Sequence, residues 1–167
     1  MAFRVRVLAF DEGGLIPQRY TGEGENVAPA VEWEDLPNGT RSLALIVDDP
    51  DAPAGTWTHW LLWDIPATEH GLAEGWQPGF NGTSGVNDFG NEGYGGPMPP
   101  KGHGPHRYYF KLYALDTPRL MLHGGLKRWD LDKALRGHVI DEVSAMGRYE
   151  RNSGLVPRGE DASVTDG

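Results

Sequence analysis

The stretch Gly95–Asp116, GGPMPPKGHGPHRYYFKLYALD, is a proline- and glycine-dense loop that ends in His106-Arg107-Tyr108 and runs without a break into an alternating strand. Proline fixes φ and removes a donor, and glycine admits backbone shapes closed to other residues, so the loop reads as a rigid, sharply folded rim. Successive strand side chains point to opposite faces. His106 and Tyr108 therefore share a face with Phe110 and Leu112, while Arg107 and Tyr109 face the other way. A rim that delivers a histidine and a tyrosine to one face has the makings of a ligand site. Arg107, turned away, is expected in a structural salt bridge with Asp48 or Asp51.

Other segments carry the same strand signature. Phe3–Phe10 alternates, with Phe3, Val5 and Val7 on one face and Arg4 and Arg6 on the other, as in an edge or half-exposed strand. Val31–Trp33, Ser42–Val47, Thr58–Ile65 and Arg107–Leu115 are short, β-branched or aromatic, and separated by Pro, Gly, Asn and Asp, which predicts an antiparallel, mainly β domain. Trp76–Pro105 is mostly loop, and a loop of that length in a compact domain is normally functional. One helix is expected at Asp130–Met146, with Asp130 as N-cap, Gly147 as terminator, and Leu131, Leu135, Val139, Val143 and Met146 striping the face that packs on a sheet.

The chain has 167 residues, enough for a single domain with a substantial core. That domain is placed at residues 1–151. The polar tail at residues 152–167 lacks periodicity; it reads either as a disordered end or, since Leu155–Gly159 resembles a thrombin site, as partly an expression addition. No run of about 18 apolar residues appears, and no charged, apolar leader opens the chain, so neither membrane insertion nor a signal peptide is expected and a cytoplasmic protein fits best. A net charge of −9 and a pI near 5.0 oppose nucleic acid and anionic bilayers as partners. The absence of cysteine excludes disulfides and thiol chemistry.

Leu43–Val47 ends in Asp48, Asp49, Pro50, Asp51, Ala52 and Pro53, so three carboxylates crowd one strand exit, and the chain then re-enters a strand containing His59. Asp49 precedes a proline, which holds it extended. Its expected task is to accept a hydrogen bond from an imidazole, fixing the tautomer so that the opposite ring nitrogen donates to an anion. Asp48 is expected to face solvent or an arginine, and Asp51 to cap the following turn. His103, three residues before His106, is read as a solvent-exposed residue outside the site.

Taken together, LALIVDDPDAP (43–53), GTWTHWLLWDIP (55–66), NDFGNEGYGGPMPPKGHGPHRYYFKLYALD (87–116) and GHVIDEVSAMGRY (137–149) resemble the phosphatidylethanolamine-binding protein family, most closely its bacterial and archaeal, Raf kinase inhibitor-like branch. The likeness runs from about Phe3 to Arg151. It implies antiparallel Greek-key β-sheets with one C-terminal α-helix, short peripheral helical turns, and an anion pocket at one end. Matched by position, the ligand-binding residues would be Asp49, Pro53, His59, Met98, His106 and Tyr108, with backbone amides of the rim contributing. Gly22 and Met98 stand where bacterial members often have cysteine, and the longer thioether of Met98 would narrow the mouth or make it more apolar.

The expected function is a binding module for a small anion or phosphorylated head group, modulating a kinase or protease, with no cofactor, no metal and no catalytic residue assigned. Ser42 and Ser84 lie in no nucleophile context, and the zinc-protease and Walker patterns are missing. The alternative is an enzyme using His, Asp and Tyr as general acid and base on a small carbonyl or phosphate substrate. A homodimer follows by analogy with bacterial relatives.

Overall fold

The computed structural model describes residues 2–79 and 81–152. The tail reading therefore lies outside the described residues from position 153 onward. The chain runs β1 (Arg4–Val7), a 3-10 turn (Gln18–Tyr20), β2 (Val31–Glu34), β3 (Ser42–Asp49), β4 (Trp57–Pro66), β5 (Gly71–Leu72), β6 (Thr83–Ser84), β7 (His106–Leu115), α1 (Arg128–Leu135) and β8 (Val139–Tyr149). The strands form two sheets, β1-β2-β5 and β6-β4-β3-β7-β8, with every strand pair antiparallel. In the larger sheet β7 returns over a long connection to lie beside β3 rather than β6, which is the Greek-key order.

All eight residues of β3 are buried, because β3 is the central strand and both its faces are covered. Leu43, Leu45 and Val47 join Trp60, Leu62, Phe110 and Leu112 in the core shared with the small sheet, where Val7, Val31 and Trp33 meet them. Ala44 and Ile46 join Leu61, Trp63 and Leu115 on the other face, beneath Leu131 and Leu135 of α1. A continuous apolar run is what a strand buried on both faces requires. At the far end of this strand the apolar run stops at Asp48 and Asp49, and the site lies there.

The C-terminal helix is shorter than its spacing predicts. It ends at Leu135, and residues 139–149 form a long strand paired with β7 from Val139↔Leu115 to Tyr149↔His106. Gly137, at φ 84°, turns the chain out of the helix. Leu131 and Leu135 are buried as expected, but Val143 and Met146 belong to β8 and Val139 is exposed. Asp130 is not the N-cap: Lys127 is, and the Asp130 carboxylate accepts the Lys127 backbone N–H at 3.2 Å from the first turn. Among the described residues, no helix is long and apolar enough to cross a membrane.

Candidate functional site

Three strands bring their polar residues to one end of the large sheet. β3 ends in Asp49, β4 carries His59 and β7 opens with His106 and Tyr108; all four are essentially buried. Asp49 Oδ2 lies 2.6 Å from His106 Nδ1, while Asp49 Oδ1 accepts the Asp51 backbone N–H at 2.7 Å. The carboxylate thus closes its own turn and orients the imidazole, as expected for a residue held extended before proline. Tyr108 stacks along His106 at 6.5 Å and meets His59 edge-on at 5.2 Å.

His59 donates Nδ1–H to the Gly95 carbonyl at 2.6 Å, a bond from strand to rim. Burial pulls its pKa below the ordinary histidine range, against the opposing pull of that bond and of Asp49, Asp48 and Asp88. The ring is therefore neutral, with its lone pair on Nε2. That atom is buried and has no hydrogen-bond partner, and the same holds for the Tyr108 hydroxyl and for Trp57 Nε1. Burial, followed by the negative charge of Asp49, pushes the Tyr108 hydroxyl far above the ordinary phenol range, so it keeps its proton.

A cavity of about 410 Å³ lies on the other side of Phe89 and Gly95 from these groups, walled by Gly22, Trp57, Phe89, Gly95, Gly96 and Met98 among others, with Asp49, His59, His106 and Tyr108 behind that wall. Phe89 packs edge-on against both Trp57 and His59, at 5.5 and 5.4 Å, so the cavity and the buried rings share a wall. Asn87 holds this loop in shape: its Oδ1 accepts from Phe89 and Asn91 and its Nδ2 donates to the Gly93 carbonyl. Met98 is buried at the mouth and lies over Gly22. Pro53 is exposed in the turn after β3 and shares none of these contacts.

Two expectations are revised and two are narrowed. The outer nitrogen of His106 does not stand open: Nε2 lies 2.6 Å from Nδ1 of His103, so the residue read as outside the site is in hydrogen-bonding contact with its centre. The rim amides are largely spent, since Gly95 N–H donates to the His59 carbonyl and Gly96 N–H to Asn26 Oδ1. Between Gly95 and Pro100, among the described residues, Met98 has the amide that makes no such bond. Of the two expectations for Asp48, the arginine is found and the solvent is not: it is buried, with Lys111 at 3.0 Å and Arg128 at 3.2 Å on one oxygen. Asp51 is engaged by Arg107, whose guanidinium meets its two oxygens at 2.8 and 2.9 Å, as the alternation of β7 predicts.

Asn26, Trp57, Phe89 and His103 were missed as residues of this site. Only His103 had a signal. In HGPH, glycine at φ 76° before His103 and at φ 86° after it folds the rim tightly enough to lay one ring against the other without any helix. Among the described residues no group of three or more His, Asp or Glu side chains is arranged to hold a metal ion.

A family description reading "phosphatidylethanolamine-binding protein" matches residues 7–150. A UPF0098 protein of Aquifex aeolicus is 45% identical over 147 residues, covering 86% of each chain. Another, of Methanothermobacter thermautotrophicus, is 47% identical over 148 residues, covering 86% of this chain and 95% of its own. Among solved structures, a putative phosphatidylethanolamine-binding protein homolog from Chlamydia trachomatis superposes with TM-score 0.83 at 37% identity, covering 90% of this chain and 99% of its own. YbcL of E. coli, described as a new member of the mammalian PEBP family, superposes with TM-score 0.84 at 33% identity over the same shares. Matched along nearly all of its described length in sequence and in fold, the chain belongs to the phosphatidylethanolamine-binding protein family.

Proposed function

We propose that the protein binds a small oxyanion, with phosphate and phosphorylated head groups as the favoured class, and carries out no chemistry on it. The observation that carries this reading is the pair of buried, unpartnered polar atoms His59 Nε2 and Tyr108 Oη, on rings in edge contact behind the wall of the cavity. Leaving such atoms unmatched costs about 1–3 kcal/mol each, a cost a site accepts when a ligand meets them. Their chemistry is complementary. Tyr108 offers an O–H, while neutral His59 offers a lone pair and so asks the ligand for a hydrogen. An oxyanion that still carries one proton satisfies both: inorganic phosphate does so in large part near neutral pH, and a phosphomonoester, with a second pKa of about 6, does so in mildly acidic solution. The Met98 amide adds a third donor at the mouth.

The Asp49–His106 pair has the make-up of a general base, but the outer nitrogen of His106 is engaged by His103, and no catalytic residue is assigned. A kinase or protease as protein partner, the Raf kinase inhibitor-like branch and a homodimer are parts of this proposal, supported by likeness to the family.

The test sets phosphate against sulfate, which has the same shape and no proton at pH 7. Calorimetry and histidine-ring NMR should show saturable phosphate binding at least about tenfold tighter than sulfate, since a site built around a ligand hydrogen rejects an analogue lacking it. Equal affinity for the two would remove the role given to His59. No binding of phosphate, phosphoethanolamine or acetate would remove the oxyanion reading itself.

A further inference from the structure

The contact between His103 and His106 connects a buried pair to solvent. Asp49 Oδ2, His106 Nδ1, His106 Nε2 and His103 Nδ1 form one chain with both gaps at 2.6 Å, running from a fully buried carboxylate to an exposed ring. The two rings meet with centroids 4.8 Å apart at 65°. Two ring nitrogens at that separation hold a single hydrogen between them, for with two the N–H groups would point at each other. As long as the contact stands, His106 Nε2 has no hydrogen to give elsewhere.

We propose that His103 is an antagonist residue of the anion site: it occupies the nitrogen through which His106 would otherwise donate to an oxyanion, and an anion that binds His106 there must displace it. This rests on the oxyanion reading above. With Asp49 ionised, His106 keeps Nδ1–H on the carboxylate. Its Nε2 is then either the acceptor of the His103 Nδ1–H or, as imidazolium, a donor to His103 Nδ1. An oxyanion competes for that imidazolium N–H, and it must displace His103 to reach it. When both rings carry two protons neither facing nitrogen can accept, the two cations repel, and the ring on the exposed rim is the one free to leave.

Among the described residues, the surrounding charges do not supply another carboxylate to hold His103 in place. Asp51, which His106 influences electrostatically, is bound to Arg107. Tyr149, opposite His106 on β8, is bonded to Glu23. Tyr108 and neutral His59 lie on the inner side, and Lys101 lies on the same exposed rim.

The test uses the full chain and His103→Ala, a substitution at an exposed loop position, with inorganic phosphate as ligand. A residue that helps hold the anion weakens binding when removed; an antagonist does the reverse. The expected result is phosphate affinity about 3- to 10-fold higher in the variant at pH 7.5, the worth of one displaced neutral hydrogen bond. The rise in affinity on acidification to pH 5.5 should be steep in the parent and shallow in the variant. Equal or weaker phosphate binding by the variant overturns the proposal. A second arm needs no ligand: ring-nitrogen NMR should show the pH response of His106 Nε2 altered once His103 is gone. Identical curves would overturn the proposal, whereas failure of phosphate to bind either protein removes the oxyanion reading and leaves the coupling of the two rings to be judged on those curves.

Discussion

Met98 lies so closely across Gly22 that a Cβ built on Gly22 would stand 2.2 Å from Met98 Cγ and 2.8 Å from its sulfur. The thioether has taken the volume a side chain at position 22 would need, so the two positions are one packing unit at the cavity mouth. Gly22→Ala is expected to cost about 1–3 kcal/mol in urea unfolding, the usual range for overpacking, because Met98 must shift from near its root rather than its tip. Adding Met98→Ala should recover part of that loss, giving a coupling of about 1 kcal/mol. Strict additivity of the two changes would refute the shared volume.

The β class was legible because β3, β4 and β7 state it in their residues. Val31–Trp33, Ser42–Val47, Thr58–Ile65 and Arg107–Leu115 each fall within an observed strand. β8 was not legible, for a physical reason. Its inward positions include Ala145 and Gly147, small residues forced by neighbours: a Cβ at Gly147 would meet Ile16 at 2.7 Å and Phe10 at 2.8 Å. A strand whose buried face is made of small residues carries little alternation, and the four-residue spacing of Leu131, Leu135, Val139 and Val143 imitates a helix instead. In the site, the pairing of Asp49 with His106, 57 residues apart, was implied by the family resemblance, and local rules supplied only the extended conformation of a carboxylate before proline. The use of the Gly96 amide by Asn26, 70 residues away, follows from no local rule. The burial of Asp48 likewise depends on Arg128, which arrives from α1.

His59 should make the protein acid-sensitive. Burial holds the folded ring's pKa below the unfolded value of about 6.5, so the unfolded chain takes up a proton first. The sign follows: this contribution to stability is whole above about pH 6.5 and is lost as pH falls towards and through the folded pKa, at up to about 1.4 kcal/mol per pH unit. Urea midpoints measured from pH 7.5 down to 5 should fall less in His59→Gln than in the parent. Parallel curves would mean the ring is not held neutral.

The Asp51–Arg107 pair titrates in the opposite range. The Arg107 guanidinium holds the Asp51 carboxyl below its ordinary value, so its stabilisation is present above about pH 4 and disappears as pH falls through the folded pKa. Arg107 is 48% exposed, which limits the pair to about 1 kcal/mol or less. Arg107→Gln should cost that much at pH 7 and progressively less as pH falls below about 4 and through the folded pKa. The backbone N–H of residue 107 continues to donate to Asp51 in the variant, so the turn that positions Asp49 is retained. A larger loss that persists in acid would point to packing of the arginine stem instead.

Tyr108→Phe separates stability from binding more sharply than any other change at the site. The hydroxyl is buried, keeps its proton and makes no well-formed hydrogen bond, only an approach to the Asp49 carboxylate, so deleting it removes a desolvation cost for little loss, while the ring contacts with His59 and His106 survive. Stability in urea should stay level or rise by up to about 1 kcal/mol. Phosphate affinity should fall by about tenfold or more, the loss of one hydrogen bond to a charged acceptor. A variant that is destabilised by the substitution would show that the hydroxyl is satisfied within the fold. A variant that is as stable as the parent and binds phosphate as tightly would leave Tyr108 as a packing residue and move the anion to the Met98 amide and the rim.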